Sequence, residues 1–372
     1  MNNLYSKLIT HRPVRNLWMI GCTRTLFSKH FLGIKDYEMR RSVQLPFDPK
    51  KVELKSETGK LAAFIKYWFH VLNKEECVEK FSKVQTSLRL IYDDPAERKA
   101  FKYGTLVMRM LHYLDLPDQA LKIFNDEHIP MMFNEIQSKL VLLDLLFNHK
   151  MYEDMLHIIK MDNEEQEKKH KGLSAQLNCL AFAACYKLNT EAHLKYGLDL
   201  WKKLPKEIQL HQSANFLSML AINLGHPKTA LDILESSKKL QGNTIITVFI
   251  RLIALADCGY FAEAIQCIQQ NKKDFPEANI YTNVVERINQ SLNKYPTTED
   301  KENFIKLLDT IPHHKWKQTF DEMICFTIDP SKGSLNRAHS PNYRNFSKVN
   351  VNRPKTSQKS SKQNENQEST IE

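Results

Sequence analysis

A short pattern returns along this sequence roughly every 35 residues, and a chain built that way has few folds open to it. LDLPDQALKIF (114–124), LGHPKTALDIL (224–234) and CGYFAEAIQCI (258–268) share a turn, a short interval, a small residue and then an apolar-x-apolar-apolar run. Weaker copies put Met155 and Gly197 at the place of the small residue, and a degenerate first copy puts Phe81 there. The markers then fall at 81, 120, 155, 197, 230 and 264, with spacings of 39, 35, 42, 33 and 34. The longest interval contains MDNEEQEKKHKG (161–172), a charged stretch that reads as a loop insertion. Self-similarity at such a period is the signature of stacked supersecondary units. One unit cannot bury its apolar face alone, so units stack and share a continuous core.

The unit is a pair of helices. From about residue 59 apolar residues recur at three- and four-residue spacings, as in Leu106, Met110, Leu111 and Leu114, or Leu217, Leu220, Ala221 and Leu224. Turn signals at 115–118, 225–227 and 257–259 separate these segments. The small marker residue lets the second helix of a pair approach the first closely. The fold expected is all-α: an α-α superhelical solenoid of five to six helix pairs over 59–280. Three shorter helical segments, 281–294, 299–311 and 315–326, are expected to cap it. Beyond 327, Asn, Ser, Lys and Gln dominate, and the composition predicts disorder.

The formal net charge of +10 is unevenly placed. Residues 1–35 carry six Lys or Arg and no acid, and residues 327–372 carry eight bases and four acids. The body from 36 to 326 holds 39 of each sign. A basic, acid-free start threaded with Leu, Ile, Phe, Trp, Ser and Thr has the composition of a mitochondrial transit peptide. Arg24-Thr25-Leu26-Phe27-Ser28 resembles a matrix-peptidase site, and removal of roughly the first 25–35 residues is expected.

Signs of chemistry are sparse. Glycine numbers 10 in 372, too few to suggest phosphate-cradling loops. None of the common nucleotide-binding, hydrolase, zinc-protease or calcium-loop motifs occurs. The seven cysteines form no C-x-x-C and no zinc spacing, and read as buried, inert thiols. His313-His314 invites a metal reading, but adjacent residues on a helix point about 100° apart. A polar helix start with Trp316 packing inward fits better. No catalytic residue, metal or cofactor is expected.

Residues 102–190 (KYGTLVMRMLHYLDL, LLDLLFNHKMYEDML and LAFAACYKLNT) resemble the pentatricopeptide repeat family. A 34–35 residue period fits tetratricopeptide repeats as well, but the Trp and Gly-x-x-Tyr expected of their first helix are missing. The resemblance implies a mitochondrial protein of RNA maturation that supports respiratory-chain function. Some organellar members add a metallonuclease domain, but after residue 280 only four aspartates occur and no α/β pattern would hold them.

In RNA-reading members a polar residue near the start of each first helix selects a base. The corresponding positions here are Gly104, Leu140, Cys179, Asn215 and Phe249, to within one residue. Asn215 alone could hydrogen-bond a base edge, so a modular base code does not fit. Candidate RNA contacts on first helices are Lys102, Arg109, Lys139, Asn215 and Arg251. In the tail, Arg337, Tyr343, Arg344, Phe346 and Lys348 interleave aromatic and basic side chains, a pattern that can stack bases and neutralise phosphates. The neutral body and apolar reading positions keep a second expectation open, a protein-interaction scaffold such as a mitoribosomal or respiratory-assembly subunit.

Overall fold

A computed structural model describes residues 27–43, 57–237, 245–271, 280–311, 313–314 and 319–325. A packed N-terminal segment leads into helix α1 (Ile34–Ser42). A first pair follows, α2 (Glu57–Val71) and α4 (Phe81–Asp93), with the short α3 (Lys74–Glu79) between them and α5 (Pro95–Ala100) after them. Five further pairs stack in sequence. They are α6 (Tyr103–Leu114) with α7 (Pro117–Phe124), α8 (Ile136–Asn148) with α9 (Tyr152–Lys168), α10 (Ala175–Leu188) with α11 (Glu191–Lys203), α12 (His211–Asn223) with α13 (Pro227–Ser236), and α14 (Ile245–Cys258) with α15 (Phe261–Gln270). Helices α16 (Thr282–Leu292) and α17 (Glu299–Asp309) close the stack, and α18 (Phe320–Ile324) returns across it. The first helices α6, α8, α10, α12, α14 and α16 lie side by side as one layer. The fold is the expected all-α solenoid of helix pairs.

What sets the pair is the end of each first helix. Asp115, Lys150, Asn189, Gly225 and Gly259 all have positive φ, between 51° and 83°. A left-handed residue here turns the chain and lets the next N–H reach back to a carbonyl of the last turn. Those bonds are present: Leu116 N to Leu111 O (3.0 Å), Met151 N to Leu146 O (3.0 Å), His226 N to Ala221 O (2.8 Å) and Tyr260 N to Leu255 O (2.9 Å). Pro117 and Pro227 then open two of the second helices, where a missing N–H costs nothing.

Five residues beyond each left-handed residue stand Ala120, Met155, Leu194, Ala230 and Ala264, all buried in the second helix. In the fourth pair Leu194 therefore holds the place that sequence spacing gives to Gly197. Gly197 sits one turn on, where a Cβ would come within 2.7 Å of Leu217 Cδ1. Ala230→Leu and Ala264→Leu are each expected to destabilise the protein by about 1–3 kcal/mol through overpacking. Thermal melts of the two variants are the check, and wild-type midpoints in both would refute this register.

Two expectations change. The charged stretch 161–172 is not a loop over its first part: α9 runs through it to Lys168. Asp162 and Asn163 are buried there, Asp162 by an ion pair with Lys139 and Asn163 by hydrogen bonds to Asn178 on α10 (2.8 and 3.4 Å). Nor do His313-His314 begin a helix. They are extended and pair in parallel with Ile280–Tyr281, and the described helix that follows them is α18. Trp316 and the tail from 327 lie outside the described residues.

The expected leader boundary at 35 runs through packed structure. Phe27, Leu32, Ile34 and Tyr37 are fully or almost fully buried.

Candidate nucleic-acid interface

If this protein held a strand as RNA-reading repeats do, the first-helix layer would have to offer an open polar face. Helix α8 buries every residue from Ser138 to Phe147, α10 every residue from Leu177 to Tyr186, and α12 every residue from Ser213 to Ile222. Ten residues make almost three full turns, so no side of these helices reaches solvent over that length.

The two ends of the chain supply the missing cover. The N-terminal segment crosses α8 and α6: Phe27 N donates to Asp144 Oδ1 (3.3 Å), Gln137 Nε2 to Phe31 O (3.0 Å) and Arg109 Nε to Leu32 O (2.8 Å). Arg41 continues the cover, with its guanidinium 4.6 Å from the Tyr113 ring. From the other end, α18 lies against α12. Tyr186 Oη on α10 donates to Asp321 Oδ1 (2.5 Å), and Phe320 packs on Phe249 of α14 and on Tyr281.

The base-reading register can now be counted from the left-handed residues. Ten positions before them stand Thr105, Leu140, Cys179, Asn215 and Phe249, one residue from the sequence expectation in the first case and coincident in the others. Leu140, Cys179, Asn215 and Phe249 are buried. Thr105 Oγ1 is engaged with Ser138 Oγ (3.0 Å) and Glu135 Oε2 (3.3 Å). Asn215 Oδ1 is buried and meets no hydrogen-bond donor among the described residues. An unsatisfied buried acceptor is costly, and here it lies in the layer that α18 covers.

Gly104, the neighbouring candidate, has a packing role. A Cβ there would sit 2.1 Å from the Met132 carbonyl oxygen. Gly104→Ala is expected to lower stability by about 1–3 kcal/mol by forcing the 125–135 loop off α6. A chemical-denaturation midpoint unchanged from wild type would contradict that.

The basic candidates are each engaged elsewhere. Lys102 is well exposed and pairs with Glu135. The Arg109 guanidinium packs against Gly33 in the N-terminal segment. Lys139 is 7% exposed and is held by Asp162 and by Asn134 Oδ1 (2.8 Å). Arg251 reaches Glu235 Oε2 (3.5 Å) and Leu234 O (3.4 Å). The structure does not gather these four, with Asn215, into one open surface. Arg337, Tyr343, Arg344, Phe346 and Lys348 lie outside the described residues.

Among the described cysteines Cys77, Cys179, Cys185 and Cys267 are buried as expected, whereas Cys258 and Cys325 are only partly so. Burial pushes the thiols of Cys179 and Cys185 up to about 12 and that of Cys77 up to about 11. Almost no thiolate is present at neutral pH. Among the described residues no three His, Cys, Asp or Glu side chains group to hold a metal ion, and no helix is long and apolar enough to cross a membrane.

Stacked helix pairs with a sealed inner layer define an α-solenoid repeat protein. The sequence is similar to Pentatricopeptide repeat-containing protein 2, mitochondrial, of Mus musculus, 27% identical over 251 residues, 63% of this chain and 62% of that one. The Pongo abelii protein of that name is 25% identical over 270 residues, 69% of each chain, and the Danio rerio protein is 36% identical over 100 residues, 27% of this chain and 25% of that one. No family model matches the chain, and no solved structure matches it. The relatives' shared name places this chain in the mitochondrion.

Proposed function

We propose that the protein is a non-enzymatic RNA-maturation factor of the mitochondrial matrix that holds transcripts and thereby supports respiratory-chain function. The similarity to pentatricopeptide repeat-containing relatives, joined to a helix-pair solenoid, carries this reading. Roughly the first 25–35 residues act as its import leader. RNA is held by charge and stacking rather than by a base code, because the reading positions are buried or engaged. The basic, aromatic tail is the best-suited element, through Arg337, Tyr343, Arg344, Phe346 and Lys348. The test is binding of two unrelated fluorescent single-stranded RNAs by the full chain. Comparable affinities that fall steeply with salt support the proposal, whereas strong preference for one sequence contradicts the mode of binding.

A second reading, a protein-interaction scaffold, is favoured by one observation: the first-helix layer is sealed by the chain's own ends. Absence of RNA binding at low salt, with proteins recovered by crosslinking in mitochondria, would decide for it.

A further inference from the structure

The leader reading leaves open where the cut falls, and the contact at Phe27 answers that more sharply than composition can. Phe27 is fully buried, its ring packs beside Phe31 (5.4 Å between centroids), and its backbone nitrogen lies 3.3 Å from Asp144 Oδ1. Asp144 is itself fully buried on α8, with His112 Nε2 2.9 Å from its other oxygen and Asn148 Nδ2 at 3.5 Å. In the uncut chain an amide donates one N–H to this carboxylate. In a chain that began at Phe27, the same nitrogen would be an ammonium, with three N–H donors and a charge opposite to that of the carboxylate.

We infer that the import leader is cut between Leu26 and Phe27, and that the new α-ammonium of Phe27 forms a buried ion pair with Asp144 that locks the N-terminal segment over α8. The inference rests on the leader reading above. The sequence places Arg24 three residues before the new amine and Ser28 just after it, the setting that resembles a matrix-peptidase site. Hydrolysis adds one water across the Leu26–Phe27 amide. The bond breaks to a carboxylate on Leu26 and an ammonium on Phe27, with nothing oxidised or reduced. The peptidase acts on the unfolded precursor, because the folded chain seals Phe27 from solvent. A cut further along, within the expected 25–35 range, would discard Phe27, Leu32 or Ile34 from the core. A cut further back would leave an amide at the carboxylate.

The charge is expected to matter. The amide hydrogen bond to the carboxylate is already charge-assisted. The cut adds an opposite charge beside a fully buried carboxylate, and pairing a buried charge should favour the folded state about tenfold over an amide. For a domain of this size that is a rise in melting midpoint of about 2–4 °C.

Two experiments test the inference. The first is N-terminal sequencing of the protein isolated from mitochondria, which should read Phe27-Ser28-Lys29. An intact Met1 overturns the leader reading and this inference together. Any other internal start overturns the inference and leaves the leader reading standing. The second compares chains of residues 27–372 with a free or an acetylated α-amine, each with and without Asp144→Asn. The free-amine chain should melt higher than the acetylated one, and Asp144→Asn should erase the difference. Equal midpoints, or a gap that persists in Asp144→Asn, refute the ion pair. If Asp144→Asn does not fold, reaction of the Phe27 amine with an acylating reagent serves instead. It should be slowed at least tenfold by folding, and an amine that reacts as fast in the folded as in the unfolded chain refutes the pairing.

Discussion

Lys139→Ala is expected to destabilise the protein by about 3–5 kcal/mol, the usual cost of stripping one partner from a buried ion pair. Lys139 and Asp162 have side chains only 7% and 6% exposed, and they join α8 to α9 within one pair. With the lysine gone, Asp162 keeps a 3.4 Å hydrogen bond from Gln166 Nε2 but loses its adjacent cation. Replacing both partners together, Lys139→Met with Asp162→Leu, should recover most of the loss, because no charge is then left buried. Urea unfolding of the single and double variants is the measurement. The result also separates two roles for Lys139. As a structural lysine it changes stability and leaves RNA affinity alone when the assay is run well below the melting point. A single variant with wild-type stability and weakened RNA binding would return Lys139 to the list of RNA contacts.

Removing residues 327–372 is expected to weaken binding to every single-stranded RNA alike and to flatten its salt dependence. The tail carries eight bases and four acids, a net charge of +4. Each phosphate neutralised contributes about −0.7 to the log–log salt slope for single strands, so four such contacts amount to about −3. Between 50 and 200 mM salt, the advantage of the full chain over the truncated one should then shrink about 50-fold. Asn215→Ala should leave affinity and selectivity as they are, because Asn215 is buried among the first helices. Selective binding that survives loss of the tail would refute this account and return the specificity to the repeats.

The period was legible because close packing of paired helices demands it. Ala120, Ala230 and Ala264 stand where three of the pairs pack closely, with Met155 and Leu194 at the same place in the other two, and turn residues precede them at a fixed distance. The fourth copy was misplaced because its small residue, Gly197, serves a different contact. The residue that fixes the register, Asn189, takes a left-handed conformation without being glycine. The run at 161–172 looked like a loop because nothing local shows that Asp162 and Asn163 find Lys139 and Asn178 across a helix interface.

The candidate site was less legible. Whether Arg109 meets solvent depends on Leu32, far away in sequence, and whether Lys139 does depends on Asp162 in the next helix, and such contacts leave no local periodicity. One signal was available. VLLDLLF in α8, LAFAACY in α10 and FLSMLAI in α12 are apolar nearly all round, and a helix without a polar stripe is covered on every side.

Helix-pair stacks ordinarily fold through contacts between near neighbours, so that a repeat can settle as soon as the next one exists. The two closures of this chain are of another kind. Phe27 meets Asp144 across 117 residues, and Tyr186 meets Asp321 across 135. Contacts so distant in sequence carry a large loop-closure entropy and form late. As the chain folds, Phe27 waits for α8, and the apolar faces of α10, α12 and α14 stay bare until residues 320–325 arrive. During that interval the protein is a partly assembled stack with sticky sides, the state in which folding chains aggregate. A chain shortened before Phe320 would remain in it.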